Sequence, residues 1–141
     1  MKIYIDTSVL VSALTEEAET TRTQQWLHDQ EPDTLLISEW VASEFSAALS
    51  IKVRNRKIEA DMRDRALTAF RRLSAEVFEV LPVRSLHFQR SAHFADQDAL
   101  GLRAGDALHL AIASDCEALL CTLDRRLAEA GLRLGLKTQL L

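Results

Sequence analysis

The residues KIYIDTSVL (Lys2–Leu10) decide the fold class, because they join a strand to a helix through one acidic residue. Lys2–Ile5 combines β-branched and aromatic side chains, which predicts a strand. Val9–Leu14 predicts a helix, and Asp6 stands at the junction between the two elements. Short apolar runs of this kind alternate with longer helical patterns along the whole chain. This alternation indicates an α/β fold whose parallel sheet is covered by helices on both faces.

The remaining elements follow the same alternation. Further strands are predicted at Thr34–Ile37, Val77–Leu81, Ala118–Cys121 and, with a poorly marked pattern, Leu132–Leu134. Further helices are predicted at Thr20–His28, Glu39–Arg54, Ile58–Ser74, Ser85–Leu100, Ala107–Ala113 and Arg125–Ala130. With no repeat and no linker in 141 residues, we expect a single domain over residues 1–141.

Composition narrows the class of protein. The chain is 48% hydrophobic and 27% charged, which is typical of a globular domain. Its first glycine is Gly101, which excludes a Walker loop or a dinucleotide-binding loop after an early strand. Cys116 and Cys121 lack a CxxC partner and are interpreted as buried thiols of a reducing compartment. Because no signal peptide or membrane span is evident, we expect a cytoplasmic protein with no membrane partner.

Charge is unevenly distributed along the chain. The net charge is −4, which by itself argues against a nucleic-acid partner. Residues 51–72 nevertheless carry eight Lys or Arg and three acids, a net charge of +5 that leaves −9 for the rest. This basic segment is either a solvated helix face or a strip that attracts phosphates.

Three aspartates stand at junctions between predicted elements. Asp6 directly follows the first strand, and Asp124 follows the strand Ala118–Cys121 after two residues. Asp106 opens the helix Ala107–Ala113, which is apolar all round and therefore predicted to be buried. Each of the three could serve only as the cap of the helix that follows it.

Glu44 departs from the pattern of its own predicted helix. It lies on or at the edge of an apolar stripe formed by Val41, Phe45, Ala48 and Leu49. A carboxylate in that place needs a partner, because burying it alone is costly. The partner is either the cation of a salt bridge or a bound metal ion.

The four acids are predicted to meet at one edge of the sheet. Ligands of doubly wound sheets bind outside the carboxyl ends of the strands, where Asp6 and Asp124 stand. Asp106 begins the helix that leads to the strand before Asp124, and Glu44 lies within two turns of the end of the second strand. Carboxylates about 4 Å apart repel by roughly 4 kcal/mol at an effective dielectric near 20, so such a cluster needs protons or a cation. All-oxygen ligands suit Mg²⁺ or Mn²⁺ and not zinc.

The histidines offer no competing site. None of the four forms an HxxxH pair, and the chain has no GxSxG motif. His109 lies one turn after Asp106 and could reach the pocket, but we interpret it as a partly buried packing residue.

Four segments together resemble the PIN-domain family, and most closely its VapC-type toxin ribonucleases. They are IYIDTSVLVSAL (3–14), ISEWVASEFSAAL (37–49), LRAGDALHLAIA (102–113) and LLCTLDRRLAEAG (119–131). The resemblance covers nearly the whole chain, and LRAGDALHLAIA is its most specific part. It implies a three-layer α/β fold with a parallel five-stranded sheet between helices.

The resemblance also implies an activity and a site. The activity is cleavage of RNA phosphodiester bonds with Mg²⁺ or Mn²⁺ as cofactor, under the control of a cognate antitoxin protein. The implied metal-binding and catalytic acids are Asp6, Glu44, Asp106 and Asp124, and the implied supporting hydroxyls are those of Ser8 and Thr122. No acidic position is lost, so nothing in the sequence indicates an inactive enzyme.

Two further predictions concern partners. Within the basic segment, Arg54, Arg56 and Lys57 are predicted to contact RNA or the antitoxin. A homodimer is predicted because the helices Thr20–His28 and Ile58–Ser74 carry much apolar surface. The residues that suggest it are Trp26, Leu27, Phe70 and Leu73.

Two alternative functions remain open at this point. A PIN fold could be kept as a non-catalytic interaction module, although the intact acids argue against it. An aspartyl-phosphate phosphatase or a receiver domain also places an Asp after its first strand. The phosphatase needs a DxD pair, but Ser8 occupies the second position. The receiver needs a late lysine in the site, and the only late lysine is Lys137.

Overall fold

Five short strands form one sheet, and each strand runs parallel to its neighbours. The computed structural model describes residues 1–141. The strands pair in the order β3-β2-β1-β4-β5, with β1 at the centre. Their bounds are β1 Ile3–Ile5, β2 Leu35–Ser38, β3 Glu79–Leu81, β4 Leu119–Thr122 and β5 Thr138–Leu140. The predicted α/β fold with a five-stranded parallel sheet is therefore confirmed.

Seven helices connect and cover the strands. They are α1 Thr7–Leu14, α2 Thr20–His28, α3 Glu39–Arg54, α4 Ala60–Glu76, α5 Ser85–Ala95, α6 Ala104–Asp115 and α7 Arg125–Arg133. Helix α1 packs against α2, α3 and α4, whereas α5 packs against α6. None of the seven combines the length and the apolar character that crossing a membrane demands.

The core lies around β1 and the helices next to it. Tyr4 and Ile5 of β1 are fully buried. Phe45 of α3 stacks on Phe70 of α4 with ring centroids 4.5 Å apart, which joins these two helices. Every residue of Ala107–Ala113 in α6 is buried, as a sequence that is apolar except for His109 predicts.

The predicted last strand at Leu132–Leu134 is wrong. Leu132 lies in α7, and the fifth strand is β5, four residues beyond Leu134. Gly135 adopts a left-handed φ of 76°, which ends the helical segment and turns the chain toward the sheet. β5 is an edge strand with mostly exposed side chains, so it lacks the hydrophobic pattern by which sequence analysis recognises a strand.

The predicted helix at Ser85–Leu100 is too long. Helix α5 ends at Ala95, and a short 3-10 turn at Asp98–Leu100 follows. Gly101 then takes a left-handed φ of 64°, which redirects the chain into α6.

The residues that suggested a homodimer do not form an apolar surface. Phe70 is 7% exposed, and Trp26, Leu27 and Leu73 are partly buried against the core. That basis for the dimer is therefore wrong. The large exposed apolar side chains lie elsewhere, among them Leu86 and Phe88 on α5.

Candidate metal site at the carboxyl edge of the sheet

The strand order places the candidate site at the topological switch point. Chain connections run from β1 toward β2 on one side, while β4 lies on the other side of β1. The crevice beyond the carboxyl ends of β1 and β4 is where sheets of this type bind ligands. Asp6 directly follows β1, and Asp124 comes two residues after β4. The Asp6 amide donates to the Cys121 carbonyl over 3.2 Å, which joins the two strand ends.

Asp6 is a buried carboxylate that two hydroxyls hold in place. It is 5% exposed, and its Oδ1 accepts hydrogen bonds from the Ser8 amide (3.1 Å) and the Ser8 hydroxyl (2.5 Å). The hydroxyl of Thr122 donates to Oδ2 over 2.9 Å. Burial raises the pKa of Asp6 in spite of these bonds, because desolvation disfavours the charged form. Asp6 caps α1, but capping alone does not require this extent of burial.

Glu44 is held by two side chains that bind the same oxygen. The Thr7 hydroxyl donates to Oε1 over 2.6 Å, and His109 Nε2 lies 2.5 Å from that atom. Burial acts to raise the pKa of Glu44, but the hydrogen bonds from His109 and Thr7 outweigh it and hold the pKa below its usual range. No Lys or Arg pairs with Glu44; its only ion-pair partner within 4.0 Å is His109.

Asp106 and Asp124 are held by backbone amides at the starts of helices. Oδ2 of Asp106 accepts from the Arg103 amide over 3.4 Å. Oδ1 of Asp124 accepts from the amides of Arg126 (2.9 Å) and Leu127 (3.2 Å). The capping roles considered for both residues are therefore real. They also leave Oδ1 of Asp106 and Oδ2 of Asp124 without a donor from the protein.

The charges of two other acids affect the pKa of Asp106. Burial is the main reason that the pKa of Asp106 is raised, and the charges of Asp124 and Glu44 add to the shift. Nearby like charges disfavour ionisation, so the three carboxylates are close enough to interact.

The free oxygen of Glu44, Oε2, lies in a narrow space beside Gly105 and Trp40, which we call the cradle. A Cβ built on Gly105 would lie 3.0 Å from Glu44 Oε2 and 3.6 Å from Trp40 Nε1. Trp40 Nε1 is the one buried side-chain nitrogen or oxygen without a hydrogen-bond partner. A buried donor without an acceptor is costly and points to an additional oxygen at this place. Glu44, Asp106 and Asp124 each have one oxygen without a donor from the protein. Carboxylate oxygens are by their chemistry the ligands that a hard divalent cation prefers.

The four acids do not close into a metal cage. No group of three or more His, Cys, Asp or Glu side chains is arranged so that it could hold a metal ion. The protein alone therefore does not form the predicted close cluster of four acids. Carboxylates about 4 Å apart repel by roughly 4 kcal/mol at an effective dielectric near 20, so a close cluster of the four acids is unfavourable without a cation.

The two predicted supporting hydroxyls lie between the strand ends. Besides binding Asp6, the Ser8 hydroxyl accepts from the Leu123 amide over 3.0 Å. The Thr122 hydroxyl accepts from the Asp124 amide over 2.9 Å. The Thr122 hydroxyl therefore contacts the carboxylate of Asp6 and the backbone amide of Asp124.

Three further side chains belong to this site; the sequence did not mark Tyr4 and Thr7, and it placed His109 within reach of the pocket. The interpretation of His109 as a packing residue is wrong: it is 2% exposed and hydrogen-bonds Glu44. Tyr4 contacts the other nitrogen of His109, and Thr7 contacts Glu44 directly. A single histidine in an otherwise apolar buried helix was the available signal, because a buried polar group needs partners.

The basic segment begins at the far end of α3. Arg54 is ten residues beyond Glu44 on one helix, about 15 Å along its axis. Lys52, Arg63, Arg65 and Arg72 each pair with an acid within 4.0 Å. Arg54, Arg56 and Lys57 take part in none of these ion pairs. The three residues predicted to contact a partner are thus free of ion pairs, but they lie well away from Glu44.

Fold and site together define an α/β protein with acidic side chains at the carboxyl edge of its parallel sheet. Residues 3–132 match the sequence model of the PIN domain, and the chain belongs to this family. This match confirms the resemblance found in the sequence. No curated protein matches the chain significantly.

Solved structures share the fold at low sequence identity. VapC20 of Mycobacterium tuberculosis, a sarcin-ricin loop cleaving toxin, matches with a TM-score of 0.74 and 20% identity over 92% of this chain and 95% of that one. PAE2754 of Pyrobaculum aerophilum matches with a TM-score of 0.68 and 21% identity over 92% of this chain and 79% of that one. VapBC2 of Rickettsia felis, bound to a DNA fragment from its promoter, matches with a TM-score of 0.68 and 16% identity over 100% of this chain and 99% of that one.

Proposed function

We propose that this chain is a metal-dependent endoribonuclease that cleaves RNA phosphodiester bonds, and that it is the toxin of a type II toxin–antitoxin pair. The observation that carries the proposal is the set of free carboxylate oxygens. Glu44, Asp106 and Asp124 each use one oxygen for protein contacts and leave the other free. They do so at the switch point of a PIN-domain sheet, where a ligand is expected.

The four acids would have different roles at the carboxyl edge of the sheet. Asp6, Asp106 and Asp124 would hold Mg²⁺ or Mn²⁺, because an all-oxygen set suits these ions. The cation, when bound, supplies Lewis-acid chemistry at the phosphodiester. Glu44 would either complete the ligand set or orient the attacking water. Its lowered pKa keeps it ionised at neutral pH, so it accepts a hydrogen bond from water readily but is a weak base.

The proposed partners are RNA and an antitoxin protein. Similarity to a sarcin-ricin loop cleaving toxin and to a DNA-bound VapBC complex supports both partners by analogy of fold. The unpaired cations Arg54, Arg56 and Lys57 would contact RNA phosphates or an acidic or polar antitoxin surface.

A homodimer and a cytoplasmic location remain predictions. Leu86 and Phe88 are exposed on α5 and offer a more suitable apolar surface for self-association than the less exposed residues of α2 and α4. Sedimentation at micromolar concentration tests the dimer, and a single monomeric species would contradict it.

Cleavage by the purified chain tests the proposed activity. RNA should be cut in Mn²⁺ or Mg²⁺ and left intact in chelator. Asp124→Asn should abolish cleavage, because it removes a cation ligand but keeps the cap. Asp33→Asn, an exposed acid just before β2 at the opposite edge of the sheet, is the matched control and should cleave normally. Folded protein that cuts no RNA in either metal would favour the non-catalytic interaction module.

A further inference from the structure

A chain of hydrogen bonds leads from the start of α3 through the core to Glu44. The Val41 amide lies 3.4 Å from Ser38 Oγ, which lies 2.8 Å from the Tyr4 hydroxyl oxygen. That oxygen lies 2.9 Å from His109 Nδ1, and His109 Nε2 lies 2.5 Å from Glu44 Oε1. Tyr4 and Ser38 are 0% exposed and His109 is 2% exposed.

The groups at the two ends of this chain have fixed hydrogen-bond roles. A backbone amide can only donate, and an ionised carboxylate can only accept. His109 Nε2 therefore carries a hydrogen and donates to Glu44, and Ser38 Oγ accepts from the Val41 amide. Between these two ends, the Tyr4 hydroxyl hydrogen-bonds both Ser38 Oγ and His109 Nδ1. Every buried side-chain polar atom of this hydrogen-bonded chain thus has a hydrogen-bond partner.

The chain acts on one oxygen of Glu44 and leaves the other available. His109 and Thr7 both bind Oε1, so the carboxylate cannot rotate without losing two hydrogen bonds. Oε2 then points to the cradle at Gly105 and Trp40. Fixing a ligand in its binding orientation removes the conformational cost of ordering it when the cation binds.

We infer that Tyr4 and His109 are positioning residues, which hold Glu44 so that its Oε2 is presented to the cation and the RNA phosphate. The inference rests on the proposed function, since it assumes that Glu44 belongs to a cation site. A purely structural network would differ in one measurable way. It would contribute to stability, but its loss would not change the affinity for a cation.

The test is a double-mutant cycle on Mn²⁺ affinity, measured by calorimetry on the full chain without RNA. Tyr4→Phe removes one hydroxyl, leaves Glu44 and His109 intact, and should weaken Mn²⁺ binding about tenfold, as loss of a supporting partner typically does. In the Glu44→Gln background the same change should have no further effect on affinity, because the group on which Tyr4 acts has already been altered.

Two more comparisons separate positioning from structure. His109→Gln keeps an N–H donor near the position of Nε2 and should retain more Mn²⁺ affinity than His109→Leu. Ser12→Ala removes another buried hydroxyl, which contacts Thr23 away from the acids, and is the matched control. It should lower the melting temperature without changing Mn²⁺ affinity. If Tyr4→Phe does not fold, the two His109 variants carry the test.

The outcomes distinguish this inference from the proposed function. Three outcomes would overturn the positioning role alone, provided that Glu44→Gln itself weakens Mn²⁺ binding. They are wild-type Mn²⁺ affinity in Tyr4→Phe, an equal loss of affinity from this change in both backgrounds, and equal affinities of His109→Gln and His109→Leu. A wild-type protein that binds no Mn²⁺ and cuts no RNA would overturn the proposed function, and the inference with it. A tenfold loss in Tyr4→Phe that disappears in Glu44→Gln supports the positioning role.

Discussion

The two halves of the acidic edge are built in different ways. Asp6 and Glu44, the inner half, are fixed by the side chains of Ser8, Thr122, Thr7 and His109. Asp106 and Asp124, the outer half, are fixed only by backbone amides at helix starts. The inner half includes a carboxylate that is 5% exposed, whereas Asp124 is exposed to solvent.

This difference shows what each half requires from the sequence. Backbone amides at a helix start are available to any capping residue, so the outer half needs only an Asp in the right place. The inner half needs several specific side chains, because buried carboxylates must be compensated. Changes to supporting residues should therefore matter most in the inner half.

Among the supporting residues, the largest effect is expected at Thr122, whose hydroxyl joins the two halves. Thr122→Val keeps the shape but leaves Asp6 Oδ2 and the Asp124 amide without a partner. We expect about 1–3 kcal/mol less stability. We also expect about 10- to 100-fold slower RNA cleavage. Urea unfolding and a cleavage assay measure the two effects.

A second Thr→Val change provides the control. Thr138 on β5 donates to the Ala128 carbonyl over 2.7 Å, away from the acids. Thr138→Val should cost about 1 kcal/mol and leave cleavage unchanged. Equal losses of cleavage in the two variants would mean that Thr122 acts only through stability.

The next effect concerns the cradle around Glu44. Gly105→Ala places a Cβ 3.0 Å from Glu44 Oε2, so the carboxylate must move. Cleavage should fall about tenfold, as for a misplaced ligand. Stability should stay constant or rise by up to about 1 kcal/mol, since Ala favours a helix over Gly. Activity and stability thus change in opposite directions.

Gly131→Ala is the contrasting substitution. Its Cβ would overlap with Thr138 Cγ2, a clash that forces α7 and β5 apart. It should lower stability and leave the cleavage rate of the folded fraction unchanged. If Gly105→Ala also lost stability without a specific loss of cleavage, the cradle would be a packing feature only.

The sequence allows much of this site to be predicted, for a clear reason. Asp6 and Asp124 follow strands, and Glu44 breaks an apolar stripe, so local patterns mark all three. Tyr4 and His109 are 105 residues apart, and their contact depends on how α6 lies on the sheet. Only the fold brings such pairs together. The same limit applies to β5, whose place is set by pairing with β4 and not by its own pattern.

A smaller effect is expected from the basic segment, which lies outside both halves. Reversing Arg54, Arg56 and Lys57 to Glu should weaken RNA binding and flatten its salt dependence. On single-stranded RNA the log–log slope should change by about 0.7 for each phosphate that is no longer neutralised. The response of the melting temperature to Mn²⁺ should not change. Reversal of Arg72, which pairs with Glu76, is the control and should have less effect. An unchanged salt slope would make this segment a solvated helix face.

The smallest effect distinguishes Asp6 from Glu44 within the inner half. A raised pKa in the folded state means that Asp6 contributes stability below its ordinary pKa of about 3.9, and loses it as pH rises through the raised value. The lowered pKa of Glu44 has the opposite sign: its contribution is present above its ordinary pKa and is lost as pH falls through the lowered value.

Unfolding free energies over a pH series, measured without metal, check these signs. Relative to wild type, Asp6→Asn should gain stability as pH rises, and Glu44→Gln should lose it. Curves that run parallel to wild type would show that neither carboxyl is perturbed in the folded protein.

The central claim is that the four acids form one cation site, and Asp106 tests it most directly. Asp106→Asn keeps the size of the side chain and its capping ability but removes one charge. Wild type and variant are melted in chelator and in millimolar Mn²⁺, beside an RNA cleavage assay. In chelator the variant should melt higher, through relief of about 1 kcal/mol of repulsion. Mn²⁺ should raise the melting temperature of wild type by linkage and that of the variant little or not at all, and cleavage should vanish. Equal responses to Mn²⁺ in both proteins, with cleavage retained by Asp106→Asn, would contradict the account and leave Asp106 a helix cap.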